Sequence, residues 1–274
     1  EVGTKVPSDS PIVAVAAANG KAYAASANAF FTIDTDKLVA AAAPQGNIKR
    51  LEAVSDTIFA ITDAGLYRLD GASWKHLAQG GFVDLCMHLG KVHAAMPNEI
   101  FEIDGDTLTP VPYSKARRPI IAIASYSGSL YVLHAGQIAI LDPDSGGYDR
   151  EDDIYDWGGP LPQNTRDMIA LGSRLVVATD RGLVQLRGMA LTEIRGEDGL
   201  PYEDALCLRE GFGGDLWIGT TRGAVRNTGK EYHYFNADRW LPNEKVNDIA
   251  VDNNTAYIAT DGGLGIISYE PYTL

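Results

Sequence analysis

Three aspartates occupy matching positions in this sequence. Asp84, Asp167 and Asp248 each lie eight residues before the start of an apolar segment, and these segments read "VHAAMPNE", "LVVATDRG" and "AYIATDGG". Arg50 takes the same position before a fourth segment of this type, "IFAITDAG". Carboxylates and a guanidinium gathered in one place could coordinate a cation or bind the hydroxyl groups of a ligand. The alternative is that they are solvated or accept hydrogen bonds from backbone N–H groups of neighbouring loops.

A second group of candidates combines aromatic rings with fixed charges in segments that we predict to be loops. Aromatic rings offer a flat apolar face to the C–H face of a sugar, and charged groups bind its hydroxyls. The alternative is that each loop tryptophan packs onto a neighbouring structural unit. The predicted ligand-binding residues of this group are Tyr113, Arg117, Arg118, Trp157, Tyr202 and Trp240.

Catalytic chemistry has one candidate residue. His134 is predicted to lie in a loop on the same side as these residues. With Tyr113 and either Arg117 or Arg118 nearby, it could supply the proton abstraction and charge neutralisation that uronate β-elimination requires. The sequence contains neither a GxSxG nucleophile elbow nor an HExxH zinc motif. We therefore expect a binding protein without catalytic residues, with a polysaccharide lyase based on His134 as an alternative.

One acidic stretch is similar to a calcium-binding loop. The segment "DPDSGGYDREDD" (142–153) has a matching spacing of aspartates but lacks the glutamate at position twelve of an EF-hand. We expect a hairpin turn and an acidic, solvated strand, with Ca²⁺ as the alternative and no other cofactor or metal. The two cysteines, Cys86 and Cys207, fall in different repeats and are expected to be buried apolar residues, not a disulfide.

Internal repeats indicate how these residues are positioned. Seven similar segments recur at intervals of 34 to 45 residues, close to the period of a propeller blade. Each reads as the second strand of a four-stranded unit. A single four-stranded sheet exposes two apolar faces, whereas seven such sheets arranged around an axis cover one another. The segments begin at Tyr23, Ile58, Val92, Leu130, Leu175, Leu216 and Ala256. The sequence therefore predicts an all-β fold, a seven-bladed β-propeller of four-stranded antiparallel blades.

The predicted domain is single and spans residues 1–274. Its units run over about 12–47, 48–81, 82–118, 119–164, 165–204, 205–245 and 246–274. The last unit lacks an outer strand, and we expect segment 3–9 to supply it, which closes the ring and removes a free sheet edge. The alanine-rich "LVAAAAP" (38–44) is interpreted as the outer strand of the first blade, with a single helical turn as the alternative.

Composition excludes several classes of protein. The net charge is −13, from 36 acidic and 23 basic residues, which argues against a protein that binds duplex nucleic acid by neutralising phosphates. No apolar run reaches the ~18–20 residues that span a bilayer, so we expect no membrane insertion. The first residues show no basic segment followed by an apolar one, so a secretory signal is either absent or already removed.

Residues 200–225, "LPYEDALCLREGFGGDLWIGTTRGAV", resemble the two-component regulator propeller repeat. That repeat has Leu-Pro, an apolar strand, a Gly-rich turn, Leu-Trp-Ile-Gly-Thr and a Gly-led strand. Residues 161–186 and 241–267 match it with the tryptophan and glycine of the motif replaced. The resemblance implies a sensor-like, non-enzymatic module in the bacterial periplasm or outside the cell, with an oligosaccharide or polysaccharide as the ligand of the loop face. The alternative partner is another protein or domain, for which the propeller would be an interaction platform.

Overall fold

Short strands and tight turns make up the fold. The computed structural model describes residues 1–112, 118–142, 147–150, 162, 164–188 and 190–270, with 147–150 described by their backbone. No α-helix occurs in these residues. Turns such as Asn19-Gly20 and Leu89-Gly90 place both residues in the left-handed region, and glycine adopts that region without steric cost. Turns of this kind match the twist of antiparallel strands and join the first and second strands of a blade.

The described residues form seven sheets, each of four antiparallel strands. The N-terminal strand is β1 (Val2–Pro7). Blade 1 contains β2 (Ala14–Ala18), β3 (Lys21–Ala25), β4 (Phe30–Asp34) and β5 (Lys37–Ala41). Blade 2 contains β6 (Ile48–Val54), β7 (Thr57–Thr62), β8 (Gly65–Asp70) and β9 (Ser73–Ala78). Blade 3 contains β10 (Asp84–His88), β11 (Lys91–Ala95), β12 (Ile100–Asp104) and β13 (Thr107–Pro110).

The remaining blades continue this order. Blade 4 contains β14 (Ala122–Tyr126), β15 (Ser129–His134), β16 (Gln137–Asp142) and β17 (Gly147–Arg150). Blade 5 contains β18 (Thr165–Leu171), β19 (Arg174–Thr179), β20 (Gly182–Arg187) and β21 (Ala190–Ile194). Blade 6 contains β22 (Ala205–Glu210), β23 (Leu216–Thr220), β24 (Gly223–Asn227) and β25 (Tyr232–Phe235). Blade 7 contains β26 (Val246–Asp252), β27 (Thr255–Thr260) and β28 (Gly263–Ser268), with β1 as its outer strand.

The blades form a closed ring. The first strand of each blade contacts the first strand of the next, and β26 contacts β2. The apolar core lies between blades, as where Tyr126 and Leu133 of blade 4 pack with Met168 and Val177 of blade 5. The predicted seven-bladed β-propeller is therefore confirmed. The crowding near the axis explains Gly219, since a Cβ there would lie 2.4 Å from the sulfur of Cys207.

The N-terminal strand closes the ring as predicted. β1 pairs with β28 in antiparallel register from Val2 opposite Ser268 to Pro7 opposite Gly263. The observed strand begins one residue earlier and ends two residues earlier than the predicted segment 3–9. Val6 is buried in a cluster shared by blades 7 and 1. The pairing removes the free edge that blade 7 would otherwise expose.

Three narrower predictions can be compared with the structure. The alanine-rich stretch forms the outer strand β5, as interpreted, and not a helical turn. Cys86 and Cys207 are both free thiols in different blades, and Cys207 is buried as expected, whereas Cys86 is only partly buried. In the described part of the chain no helix has the length and apolar character needed to cross a bilayer.

Candidate functional site

The three repeated aspartates converge on the central channel. Asp84, Asp167 and Asp248 stand near the starts of the inner strands β10, β18 and β26 and are only 4%, 5% and 7% exposed. Because inner strands line the axis of a propeller, matching positions in different blades meet there. Ion pairs link these aspartates to Arg50 of β6 and Arg209 of β22. Both arginines also pair with Glu52 of β6, so the channel holds a buried charged cluster.

Each of these aspartates bonds to the backbone of the next blade. One oxygen of the carboxylate accepts a hydrogen bond from an N–H group of the neighbouring inner strand, so the side chain bridges a blade junction. The donors are Ile123 to Asp84 at 2.9 Å, Leu208 to Asp167 at 2.9 Å and Val15 to Asp248 at 3.1 Å. Hydrogen bonds from backbone N–H groups were the predicted alternative to ligand binding for these aspartates. The donors were expected on loops, whereas they lie on strands.

Two guanidinium groups link the carboxylates to one another. Nη2 of Arg209 lies 3.0 Å from Oδ1 of Asp248 and 3.3 Å from Oε1 of Glu52. Its Nη1 lies 3.9 Å from Oδ2 of Asp167. Arg50 contacts Glu52 and lies 3.3 Å from Asp84. The cluster therefore connects blades 2, 3, 5, 6 and 7 across the channel.

Negative groups outnumber positive groups in this cluster, with four carboxylates to two guanidiniums among the described residues. Burial raises the pKa of Asp84 to about 7 and that of Asp248 to about 6, although Arg50 and Arg209 respectively oppose the shift. Burial would also raise the pKa of Glu52, but both guanidiniums hold it below its usual value. The cluster therefore gains or loses protons near neutral pH.

A cavity of about 240 Å³ borders the charged cluster. Asp84, Asp167 and Arg209 line one part of it, and Met87 and Ala170 line the part further along the inner strands. It thus extends toward the face formed by the turns between first and second strands, which we call the opposite face. The sequence had instead favoured the loop face, where the chain enters each inner strand. A second cavity of about 170 Å³ is also lined by Glu52 and Arg209.

A serine and a histidine add a neutral polar group to the cavity wall. Ser125 lines the cavity, and its hydroxyl oxygen lies 2.8 Å from Nδ1 of His88. His88 is buried and its ring meets the edge of His93 at 5.2 Å between centroids. Burial and the neighbouring His93 lower the pKa of His88, which favours the neutral imidazole. Sequence reasoning missed this pair, because the two residues lie in different blades and belong to no short motif.

His134 was predicted to lie in a loop, but it is the last residue of strand β15 and is buried. Its Nδ1 lies 3.1 Å from the carbonyl oxygen of Pro119, which indicates that Nδ1 carries the proton and donates it. The exposed Arg118 donates from Nη1 to the carbonyl oxygen of Ala135 at 2.7 Å. These two candidates therefore lie in one region of the loop face, and both are held by backbone carbonyls.

Two aromatic candidates of the loop segments pack against other side chains. Tyr202 lies against Tyr234, with 5.2 Å between ring centroids. Trp240 is 8% exposed, meets Phe235 at 5.4 Å and covers Gly3 of the closing strand β1. Packing onto a neighbouring blade was the alternative to ligand binding for this tryptophan. Three predicted ligand residues, Tyr113, Arg117 and Trp157, lie outside the described residues, as do most carboxylates of the calcium-like stretch.

Comparison with known proteins relates the chain to others through its fold. No family model matches the sequence. No curated protein matches it either. Many solved structures do match. One is the extracellular domain of BT3049 of B. thetaiotaomicron, described as a hybrid two-component system, with a TM-score of 0.80 and 16% identity. The match covers 95% of this chain and 39% of that one.

Two further structures show how widely this fold is used. A catalytically inactive variant of virginiamycin B lyase from Staphylococcus aureus, solved with quinupristin, has a TM-score of 0.76 and 14% identity, with 96% of both chains covered. PorZ of Porphyromonas gingivalis, a surface component of the type-IX secretion system, has a TM-score of 0.68 and 13% identity, with 100% of this chain and 40% of that chain covered.

The fold and the channel define this chain as a seven-bladed β-propeller with a charged central cavity. Propellers of this form occur in extracellular domains of two-component systems of B. thetaiotaomicron. The TM-scores of 0.68 to 0.80 establish a shared fold, at sequence identities of only 13% to 16%. A shared fold alone does not show that this chain has the activity of any of these proteins.

Proposed function

We propose that this chain is a ligand-binding, sensor-like module of a bacterial envelope or secreted protein, and that its channel cavity binds carbohydrate. The observation that carries the proposal is the cavity wall, which combines the carboxylates of Asp84 and Asp167, the guanidinium of Arg209 and the hydroxyl of Ser125. Sugar hydroxyls both donate and accept hydrogen bonds, so they can satisfy carboxylates and a guanidinium at the same time. The similarity of the fold to extracellular sensor domains supports the proposed location.

The size of the cavity and its apolar part limit the range of ligands that fit. Leu85, Met87 and Ile169 also line it and offer apolar surface to the C–H face of a sugar ring. A volume of about 240 Å³ is below the ~300–1,000 Å³ of pockets that hold drug-sized ligands. The cavity therefore suits one sugar unit or the end of a chain. The loop-face residues Tyr113, Arg117 and Trp157 remain a separate prediction.

Ser125 allows the test, because it lines the cavity but does not belong to the charged cluster. A glycan array would first identify a sugar that binds, and titration calorimetry would then measure its affinity. Ser125→Ala should weaken binding about tenfold, the effect of losing about 1.4 kcal/mol from one hydrogen bond. Ser125→Leu should abolish binding by filling the cavity. Ser129→Ala is the matched control, since Ser129 is half-buried on the adjacent strand and does not line the cavity.

Two results would contradict the proposal. If no glycan of a broad panel binds the wild-type protein with saturation, the module does not recognise carbohydrate, and protein partners become the alternative. If Ser125→Leu binds as well as wild type, the sugar site lies elsewhere on the ring. Absorbance of unsaturated products after incubation with uronate-containing polysaccharides, lost in His134→Ala, would instead establish the lyase alternative.

A further inference from the structure

The alanine-rich outer strand of blade 1 leaves a gap at the rim of the ring. Blades diverge with distance from the axis, so their outer strands need large side chains to fill the space between them. The outer strand of blade 2 carries Trp74, and that of blade 6 carries Tyr232 and Tyr234. The last residues of the outer strand of blade 1 and the residue after it are small, and the alanines Ala41 and Ala42 line a cavity there. A cavity of about 590 Å³ lies here between blades 1 and 2.

Two of the residues that line this rim pocket, Tyr23 and Phe30, are aromatic and are fixed in position by ring contacts. The rings of Tyr23 and Phe30 stack with 5.5 Å between centroids and 15° between planes. Phe30 in turn meets the ring of Trp74 edge-on at 5.0 Å. The indole N–H of Trp74 donates to the carbonyl oxygen of Ala42 at 2.8 Å, which ties blade 2 to the strand end of blade 1. Leu69 lines the pocket from blade 2. The pocket is therefore preformed, of ligand size and apolar.

A polar cavity of about 360 Å³ adjoins the rim pocket and shares Lys21, Tyr23 and Leu69 with it. Arg68, which also lines it, bonds to Asp70 at 2.7 Å and to Asp106 at 2.8 Å, so its charge is already neutralised. Lys21 and Asp56 also line it, and the side chain of neither residue forms a hydrogen bond or an ion pair with another described residue. One unpaired positive group and one unpaired negative group thus stand beside an apolar pocket.

We propose that the rim pocket binds a small zwitterion with an apolar body, of the class of aromatic or branched-chain amino acids and dipeptides. The apolar side chains would lie between Phe30 and Leu69, where they lose contact with water. The carboxylate would bind Lys21 and the ammonium group would bind Asp56, since each charge finds an opposite charge without displacing an existing pair. This site is separate from the channel cavity and does not depend on the carbohydrate proposal.

Adjacent alanines on β5 provide a matched pair of variants. Ala41 lies opposite Phe30 in the β4–β5 pairing and lines the pocket, whereas Ala40 lies opposite Phe31 and does not. Both are exposed, so a larger side chain is tolerated at either position. Titration calorimetry with the dipeptide phenylalanyl-leucine should show saturable binding to wild type and to Ala40→Phe. Ala41→Phe should weaken that binding by at least about tenfold, because the added ring occupies the pocket.

The charges of the head group are tested with a capped probe. Lys21→Gln should weaken binding of the free dipeptide, and the N-acetylated, C-amidated dipeptide should bind wild type less tightly than the free one. Equal affinity for the free and the capped dipeptide would overturn the assignment of a zwitterion. Equal affinity of Ala40→Phe and Ala41→Phe, or the lack of saturable binding by wild type, would overturn the site itself.

Discussion

Replacing Arg209 by methionine tests whether the channel cluster is held together by charge. Methionine fills much of the same space but carries no charge, so the variant removes the guanidinium that lies 3.0 Å from Asp248 and 3.3 Å from Glu52. Asp167, at 3.9 Å, also loses its nearest cation. Arg50 then remains as one guanidinium facing four buried carboxylates.

The expected loss of stability follows from these distances. At an effective dielectric constant of about 20, each contact near 4 Å contributes about 4 kcal/mol, and the cost of burying the guanidinium offsets much of the sum. Removal of one partner from a buried ion pair costs about 3–5 kcal/mol. For a protein of this size we expect the melting temperature to fall by about 6–20 °C at pH 8.

The loss should depend on pH in a defined direction. Asp84 and Asp248 have folded-state pKa values of about 7 and 6, above the ~3.9 of an unfolded aspartate. The folded state therefore holds more protons than the unfolded state between about pH 4 and 7, and the stability due to these groups falls as pH rises through that window. In Arg209→Met the loss of the guanidinium raises the pKa values of the remaining carboxylates further, so that they bind protons more readily in the folded state. The difference from wild type should therefore be large at pH 8 and small at pH 4.5.

Urea unfolding at both pH values, followed by fluorescence and circular dichroism, measures this difference. Arg166→Met is the control, because Arg166 pairs with Asp204 at sites where the two side chains are 30% and 42% exposed. Such a pair contributes about 0–1 kcal/mol. An equal loss at pH 4.5 and pH 8 would show that Arg209 acts through packing and would refute the electrostatic argument.

Two further predictions concern the ring itself. Deletion of residues 1–10 removes β1 and the buried Val6 and leaves β28 as a free edge, so we expect the melting temperature to fall by about 10 °C; an unchanged scanning-calorimetry profile would contradict the role of β1 in closure. Gly219→Val places carbon atoms where an added Cβ would already lie 2.4 Å from Cys207 Sγ and 2.7 Å from Val246. That variant should lose about 1–3 kcal/mol in urea unfolding, and wild-type stability would show that the inner strands are not closely packed.

The fold could be read from the sequence because each blade repeats one local pattern. The apolar second strand recurs seven times, and its small residues, such as Ala95, Ala178 and Gly219, stand where inner strands crowd. The missing outer strand of the last unit also predicted that the N-terminus would close the ring. These features are local in the sequence or repeated along it, so the repeat pattern of one sequence is enough to predict them.

The site could be predicted only in part, because most of its contacts join residues from different blades. The repeat gave the shared position of Asp84, Asp167 and Asp248, and with it their meeting at the axis. It gave no sign of Arg209, because the residue of blade 6 that matches the aspartates is Cys207, and Arg209 lies two positions further along the same strand. It also gave no sign of the bond between Ser125 and His88, since their separation along the chain follows no motif.

The same carboxylates hold neighbouring blades together and belong to the charged cluster beside the cavity. An effect on ligand binding must therefore be separated from an effect on stability. Asp248 accepts a hydrogen bond from the N–H group of Val15 across the junction of blades 7 and 1. Asp167 accepts one from the N–H group of Leu208 across the junction of blades 5 and 6. A variant at either aspartate therefore changes blade packing and ligand contacts together. Ser125 bonds to His88 and reaches the cavity without an ion pair of its own. A change in affinity without a change in unfolding free energy at Ser125 would thus assign the cavity to ligand binding, and a combined change would assign the hydroxyl to the junction of blades 3 and 4.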